Sequence, residues 1–293
     1  MKTDNKKEMK IGIIGKGFVG TAVAYGFSRQ AGYDADIKIY DVDPTKSINT
    51  LEETVNESDF IFLSVPTPSR KDGTMDLSVV ENALESISNV NDNDSNIILI
   101  RSTVTPGTTE FLQKKYPNLR LVFNPEFLRE KFASHDFINQ TRVIIGGQKK
   151  YTELVKKLYR DRFGEFLPAV ETNYETAELI KYMNNLFFAT KVSFLNEMKL
   201  LSDHIGADWA QAVEGFLLDG RIGHSHIDVP GPDGKLGFGG SCFPKDIQAL
   251  ISFGDENGVE MNVLKGAWKT NLKVRPEKDW EELKGRAVSE DDK

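Results

Sequence analysis

The sequence predicts an α/β protein in which a doubly wound parallel sheet is followed by a mainly helical domain. Three observations carry that prediction. Through the first half, short apolar runs alternate with helix-period runs, the pattern of successive βαβ units. A Gly-x-Gly-x-x-Gly turn stands between the first strand-like run and the first helix-like one. From about Thr172 the strands stop, and residues 175–205 form one helix-period run free of Pro and Gly.

The elements follow in order. Residues 10–14 read as a short buried strand, and Gly15-Lys16-Gly17-Phe18-Val19-Gly20 follows at once, leading into an amphipathic run to Arg29. The first glycine permits a tight turn, the second lets a pyrophosphate touch the backbone, and the third lets helix pack on strand, so this is a Rossmann-type turn in its required context. A second strand at 37–40 ends in Asp41, 21 residues beyond Gly20 and near the spacing of a carboxylate that accepts from an adenosine ribose. An acid there repels a 2′-phosphate, which favours NAD over NADP. A third strand at 59–65 stops at Pro66-Thr67-Pro68, a turn over which a cofactor can lie. A helix at 77–87 and a strand at 96–101 come next, the strand ending in Ser102-Thr103-Val104-Thr105-Pro106-Gly107-Thr108. Further strands read at 121–123 and 142–146. Ligands on such sheets bind at the carboxyl ends of strands, so Thr67, Thr103 and Asn124-Pro125-Glu126 belong to the working edge.

The helical half carries the reactive groups. A helix over 175–205 is about 45 Å long, too long for one small domain to cover. Its apolar Ile180, Met183, Leu186, Phe187, Phe194, Leu195, Met198 and Leu201 predict a helix that crosses between domains and packs on a partner subunit. Lys181 and Asn185, four apart, share one face. They read either as donors to a developing oxyanion or as a solvated face, and spacing alone favours the solvated face. The only cysteine, Cys242, lies in Gly237-Phe238-Gly239-Gly240-Ser241-Cys242-Phe243-Pro244-Lys245-Asp246. Glycines allow close approach on its N-terminal side, and Pro244 suits the first helical position. Cys242 then stands at a helix mouth, where the dipole and the Lys245 ammonium both favour thiolate. Without those neighbours, a lone cysteine reads as a small core residue.

Composition bounds the alternatives. The chain's 293 residues allow about two domains, and its net charge of −7 argues against nucleic acid as a main partner. No apolar run of about 18 residues exists to cross a membrane, and the polar start at 1–8 lacks a signal peptide's apolar stretch. A single cysteine excludes an internal disulfide, and a reducing cytoplasm is the expected location.

Taken together, the glycine turn, Val65-Pro66-Thr67-Pro68, the 102–108 segment, Asn124-Pro125-Glu126-Phe127-Leu128-Arg129-Glu130, Lys181 with Asn185, Arg221-Ile222-Gly223 and the decapeptide around Cys242 resemble the UDP-glucose/GDP-mannose dehydrogenase family. These stretches run in the family's order from residue 10 to about residue 275. The resemblance implies NAD-dependent oxidation of the C6 alcohol of a nucleotide sugar, most like UDP-glucose, with GDP-mannose or a non-catalytic nucleotide-sugar or NAD binder as alternatives. It makes Cys242 the nucleophile and Lys181 and Asn185 the oxyanion stabilisers. Asp246 and Thr103 hold a water, and Glu126 is the base for hydrolysis. Gly15, Gly17, Phe18, Val19, Gly20, Asp41, Lys46, Thr67, Thr103 and Glu130 would contact the cofactor. Phe127, Leu128, Arg129, Lys181, Asn185, Arg221, Phe238 and Gly239 would contact the substrate, with Arg221 approaching the phosphates from a homodimer partner.

The implied division is an NAD-binding Rossmann domain over 9–172, a helical dimerisation and catalytic domain over 173–275, and a tail over 276–293. Family members generally continue into a third, α/β domain; ending at Lys293, this chain resembles a short form without it, and 288–293 read as a disordered acidic end. Two further departures are Lys131, where the family usually has a small residue, and a long loop over 224–235. That loop holds His224 and His226, but no carboxylate or cysteine stands at supporting spacing, so no metal site is expected. Trp209 and Trp268 read as packing residues.

Overall fold

A computed structural model describes residues 9–290; the polar start at 1–8 and the last three residues of the acidic end lie outside them. The described chain forms two compact units, residues 9–67 with 77–181, and residues 68–76 with 182–290.

The first unit is built on seven strands: β1 (Lys10–Ile14), β2 (Asp36–Tyr40), β3 (Phe60–Leu63), β4 (Ile97–Ile100), β5 (Leu121–Phe123), β6 (Val143–Gly146) and β7 (Ala169–Thr172). Their order is β2-β1-β3-β4-β5-β6-β7. Every neighbouring pair is parallel except β5 with β6, which meet antiparallel at Phe123 and Gly146. Helices α1 (Phe18–Phe27), α2 (Leu51–Asn56), α3 (Ser78–Val90), α4 (Thr108–Lys115), α5 (Ala133–Ile138) and α6 (Lys149–Phe163) make the connections. A parallel sheet covered on both faces needs strands apolar on both faces, and all four residues of β4 are buried. The chain steps from β1 outward to β2 and then returns to β3 on β1's other side. This places a topological switch point between β1 and β3, directly after which the glycine turn stands.

A core cluster gathers around Phe27, the last residue of α1. Phe27 meets Tyr33, Phe62, Phe137 and Phe163 at ring separations of 5.7, 5.6, 6.0 and 6.5 Å. Gly26 lets α5 approach α1, since a Cβ there would lie 2.2 Å from the Phe137 ring. Sequence patterning does not foresee β7. This edge strand is only partly buried and carries Glu171 and Thr172, so it has no apolar run to betray it.

The second unit contains most of α7 (Tyr174–Ile205), then α8 (Trp209–Leu217), α9 (Cys242–Glu256) and α10 (Asn262–Val274). Here one expectation fails, because the acidic end is ordered as far as residue 290. Ser69 N–H donates to the Ala287 carbonyl at 2.9 Å, Ser289 N–H to the Ser69 carbonyl at 2.8 Å, and the Ser289 hydroxyl to Asp76 at 2.7 Å. Trp280 anchors the segment, buried 5.2 Å from the Trp268 ring. Charge dominates the composition there, but one buried ring, Trp280, and the backbone bridge to Ser69 decide the outcome. Among the described residues no helix is long and apolar enough to cross a membrane.

Candidate active site

At the carboxyl end of β1, Gly15 takes φ +91° and its N–H donates to the Tyr40 carbonyl at 3.0 Å. A Cβ on Gly20 would lie 2.0 Å from the Gly15 carbonyl oxygen, whereas a Cβ on Gly17 would meet nothing within 4 Å. The third glycine is thus required by the fold, and the second borders open space. No side chain caps α1, so its first N–H groups, flanked by Phe18 and Val19, offer an anion site. Asp41 accepts from Lys16 N–H at 2.6 Å and Asp43 N–H at 2.9 Å, which fixes its carboxylate beside the turn. Open space over Gly17, uncapped amides and a fixed acid at the end of β2 fit a dinucleotide. Lys46 is exposed and ion-paired with Asp43 at 3.2 Å, and Glu130 opens an exposed 3₁₀ turn at 130–132.

The ends of β3 and β4 are tied together. The Ser102 hydroxyl donates to the Val65 carbonyl at 2.6 Å, and the Thr67 hydroxyl to the Thr103 carbonyl at 2.8 Å. After β5, buried Asn124 receives Arg101 at 2.7 Å and the Tyr159 hydroxyl at 2.6 Å, both on its side-chain oxygen. That brace presents Glu126, which is itself buried. The Lys181 ammonium donates to the Glu126 carboxylate at 3.0 Å and to its backbone carbonyl at 2.6 Å. Burial pushes the Glu126 carboxyl up, but Lys181, the Leu128 N–H and Arg101 outweigh it and hold it below the ordinary range. Lys181 also stands 5.3 Å from the centre of the Phe127 ring, with the Arg142 guanidinium 4.3 Å from it. Arg129 is exposed and forms a fork on Asp136 at 2.6 and 2.9 Å.

Sequence reasoning does not single out Glu178. Completely buried, it accepts from Gly107 N–H at 2.6 Å and Thr109 N–H at 2.8 Å, stapling the 102–108 segment to α7 three residues before Lys181. Its i,i+3 relation to Lys181 is the one signal that the sequence held.

In the second unit Cys242 opens α9. The helix therefore starts two residues earlier than expected, with Pro244 third in it rather than first. Proline is still tolerated there, because N–H groups of the first turn have no helical acceptor. The thiol is half-buried, 3.9 Å from the Ser241 hydroxyl. Asp246, four residues on and completely buried, accepts from Lys245 at 2.5 Å and from the Asn185 side-chain amide at 2.7 Å. The charge of Lys245 is thus opposed by Asp246, which weakens the expectation that it draws out the thiolate.

The solvated-face reading of Lys181 and Asn185 fails outright, since they are 2% and 6% exposed. Arg221, by contrast, is exposed and forks onto Asp219. Phe238 is buried and stacks on Trp268. His226 stacks on Phe188 at 4.2 Å, and no group of three or more His, Cys, Asp or Glu among the described residues is placed to hold a metal.

Comparison with known proteins adds a second kind of finding. The model of the UDP-glucose/GDP-mannose dehydrogenase family's NAD binding domain matches residues 46–162, and that of its central domain matches 175–273. A UDP-glucose 6-dehydrogenase of Haloferax volcanii is 32% identical over 90% of this chain and 69% of its own length. That of Rickettsia prowazekii is 38% identical over 80% of this chain and 54% of its own length. The chain thus spans about half the length of several curated relatives it matches. Among solved structures, a UDP-glucose dehydrogenase from Pyrobaculum islandicum superposes with a TM-score of 0.79 at 29% identity, covering 92% of this chain and 69% of that one.

Proposed function

The chain belongs to the UDP-glucose/GDP-mannose dehydrogenase family, and from that premise we propose that it oxidises the C6 hydroxymethyl of a nucleotide sugar to the carboxylate, with UDP-glucose as substrate and UDP-glucuronate as product. The observation that carries this reading is the single cysteine at the first position of α9, followed one turn later by a buried Asp246–Asn185 pair. Bound NAD supplies the hydride acceptor for both oxidations. The protein's own groups do the rest. Lys181 and Asn185 stabilise the alkoxide that hydride loss requires. The Cys242 thiolate then forms a C–S bond to the resulting aldehyde carbon, giving a thiohemiacetal whose oxyanion the same donors stabilise. Its oxidation leaves a thioester, and water, with Asp246 one turn along α9 from Cys242 to orient it, cleaves the C–S bond, returning the thiol and releasing the acid. Glu126 takes the water's proton. Because Lys181 holds Glu126 at low proton affinity, it serves as a base only once Lys181 turns toward the oxyanion.

The balance is one alcohol, one water and two NAD giving one carboxylate, two NADH and three protons. Counting NADH against sugar consumed, with UDP-glucose and GDP-mannose in parallel, tests the proposal. A ratio of two with UDP-glucose supports it, and preference for GDP-mannose reassigns the substrate. NAD binding with no NADH from any nucleotide sugar points to a binding protein instead.

We also infer a homodimer. Leu179, Met183, Phe187, Phe194, Leu201 and Ile205 recur at helical spacing along α7, and every one is at least 44% exposed.

A further inference from the structure

We propose that Asn271 and Arg275, on α10, are positioning residues for Cys242, clamping the glycine loop that delivers the thiol to the start of α9. The proposal rests on the reading of Cys242 as the nucleophile. Its basis is an unusual reading of one stretch of backbone by side chains. Completely buried Asn271 accepts from Phe238 N–H at 2.7 Å and donates to the Phe238 carbonyl at 3.0 Å, so a single amide occupies both polar groups of one residue. From α7, Asn196 accepts from Gly237 N–H at 3.0 Å. The Arg275 guanidinium, 2% exposed, is held by Asp279 at 2.6 Å, Asp233 at 2.7 Å and the Leu236 carbonyl at 3.3 Å.

The glycines are shaped to this clamp. At Gly237, whose φ is +68°, a Cβ would lie 2.4 Å from the Asn271 side-chain oxygen; at Gly239 it would lie 2.5 Å from the Arg275 guanidinium. Sequence reasoning gave these glycines to substrate approach. In the structure the neighbours that exclude a side chain at both positions are Asn271 and Arg275. From Gly239 the chain passes through Gly240, at φ +70°, and Ser241 to Cys242. Two residues thus separate the clamp from Cys242. A thiol at the first helical position gains thiolate character from unpaired amides and the dipole, an influence that decays within one turn. Loosening the loop moves the thiol within that steep field, while Lys245 and Asp246, the charged pair on the same helix, stay in place.

The chain has no other cysteine, so alkylation by iodoacetamide reports Cys242 alone, without nucleotide sugar or cofactor. The pH dependence of that rate is measured for wild type, Asn271→Ala, Arg275→Lys, Gly239→Ala, Arg275→Ser and the Gly239→Ala/Arg275→Ser double variant, each with a thermal melt. The expected result is an upward move of the alkylation midpoint, with the rate at pH 7 falling about threefold or more in Asn271→Ala and Gly239→Ala. Removing the guanidinium removes the collision, so the double variant should be no worse than Arg275→Ser alone. Unchanged midpoint and rate in variants that fold but melt earlier would overturn the proposal and leave the clamp a support of the fold only. Should Asn271→Ala not fold, Arg275→Lys and Gly239→Ala decide by the same criterion. Wild type that makes no NADH from any sugar defeats the dehydrogenase reading, while the alkylation profiles still decide the clamp.

Discussion

Cys242 and Lys181 are the two side chains whose removal should have the most different consequences. Cys242→Ala deletes a half-buried thiol, so the protein should fold and bind NAD as before. Oxidation to the acid should fall by orders of magnitude, because the aldehyde is no longer held covalently between the two hydride transfers. Uronate formed by that variant at near wild-type rate, measured by chromatography, would refute the covalent route. Lys181→Met acts on stability as well. It leaves the buried Glu126 carboxylate without its partner, a change that costs about 3–5 kcal/mol. Urea denaturation should register that loss, and adding Glu126→Leu should recover most of it. At the exposed Arg129 the expectation concerns pH. The Arg129 hydrogen bonds hold the Asp136 carboxyl at about 2. The pair's contribution is therefore full above the unfolded value of about 3.9 and is lost as pH falls toward 2. Arg129→Ala should lower the urea midpoint at pH 6 by a small amount, since the guanidinium is exposed, and the gap should narrow at pH 3. A gap that widens on acidification would contradict this assignment.

Within the β1–turn–α1 element, Gly17 and Gly20 look alike in sequence but face different surroundings. A Cβ at Gly17 meets nothing within 4 Å, so Gly17→Val should melt close to wild type while filling the space a pyrophosphate needs. At Gly20 even one methyl collides with the Gly15 carbonyl at 2.0 Å, so Gly20→Ala should lower the melting temperature before any ligand is added. Calorimetric titration with NAD and a thermal melt on each variant separate the two effects. Tight NAD binding by Gly17→Val would remove that residue from the cofactor site. Helix α7 illustrates the same point on a longer scale. Its apolar residues divide between buried positions such as Leu186 and Leu195 and exposed ones such as Phe187 and Phe194, a split that an apolar count alone does not reveal.

For the whole molecule, the exposed stripe on α7 extends over about 39 Å and predicts a stable dimer. Sedimentation of wild type at micromolar concentration should give twice the mass of the 293-residue chain. Phe187→Glu together with Phe194→Glu places charges on the stripe without touching a buried residue, and should yield folded monomers. A wild-type monomer, or a dimer indifferent to both changes, would locate the interface elsewhere or abolish it.

The sequence by itself determined whatever depends on neighbours along the chain. The Gly15–Gly20 turn, Asp41 at the end of β2, the apolar runs of β1, β3, β4, β5 and β6, and the helix mouth at Cys242 follow from local sterics, periodicity and capping. β7 escaped because an edge strand needs no apolar run, and the start of α9 was misplaced by two residues because proline is acceptable anywhere in the first turn. Only the tertiary structure decided which charges are buried. Lys181 and Asn185 sit on one helix face in either reading, and it is Glu126, 55 residues earlier, and Asp246, 61 residues later, that turn that face inward. The same holds for Asn271 and Arg275, invisible as a pattern until folding brings α10 against the glycine loop. The physical reason is that periodicity reports a side chain's direction from its own helix, whereas desolvation and pairing depend on what distant chain lies opposite.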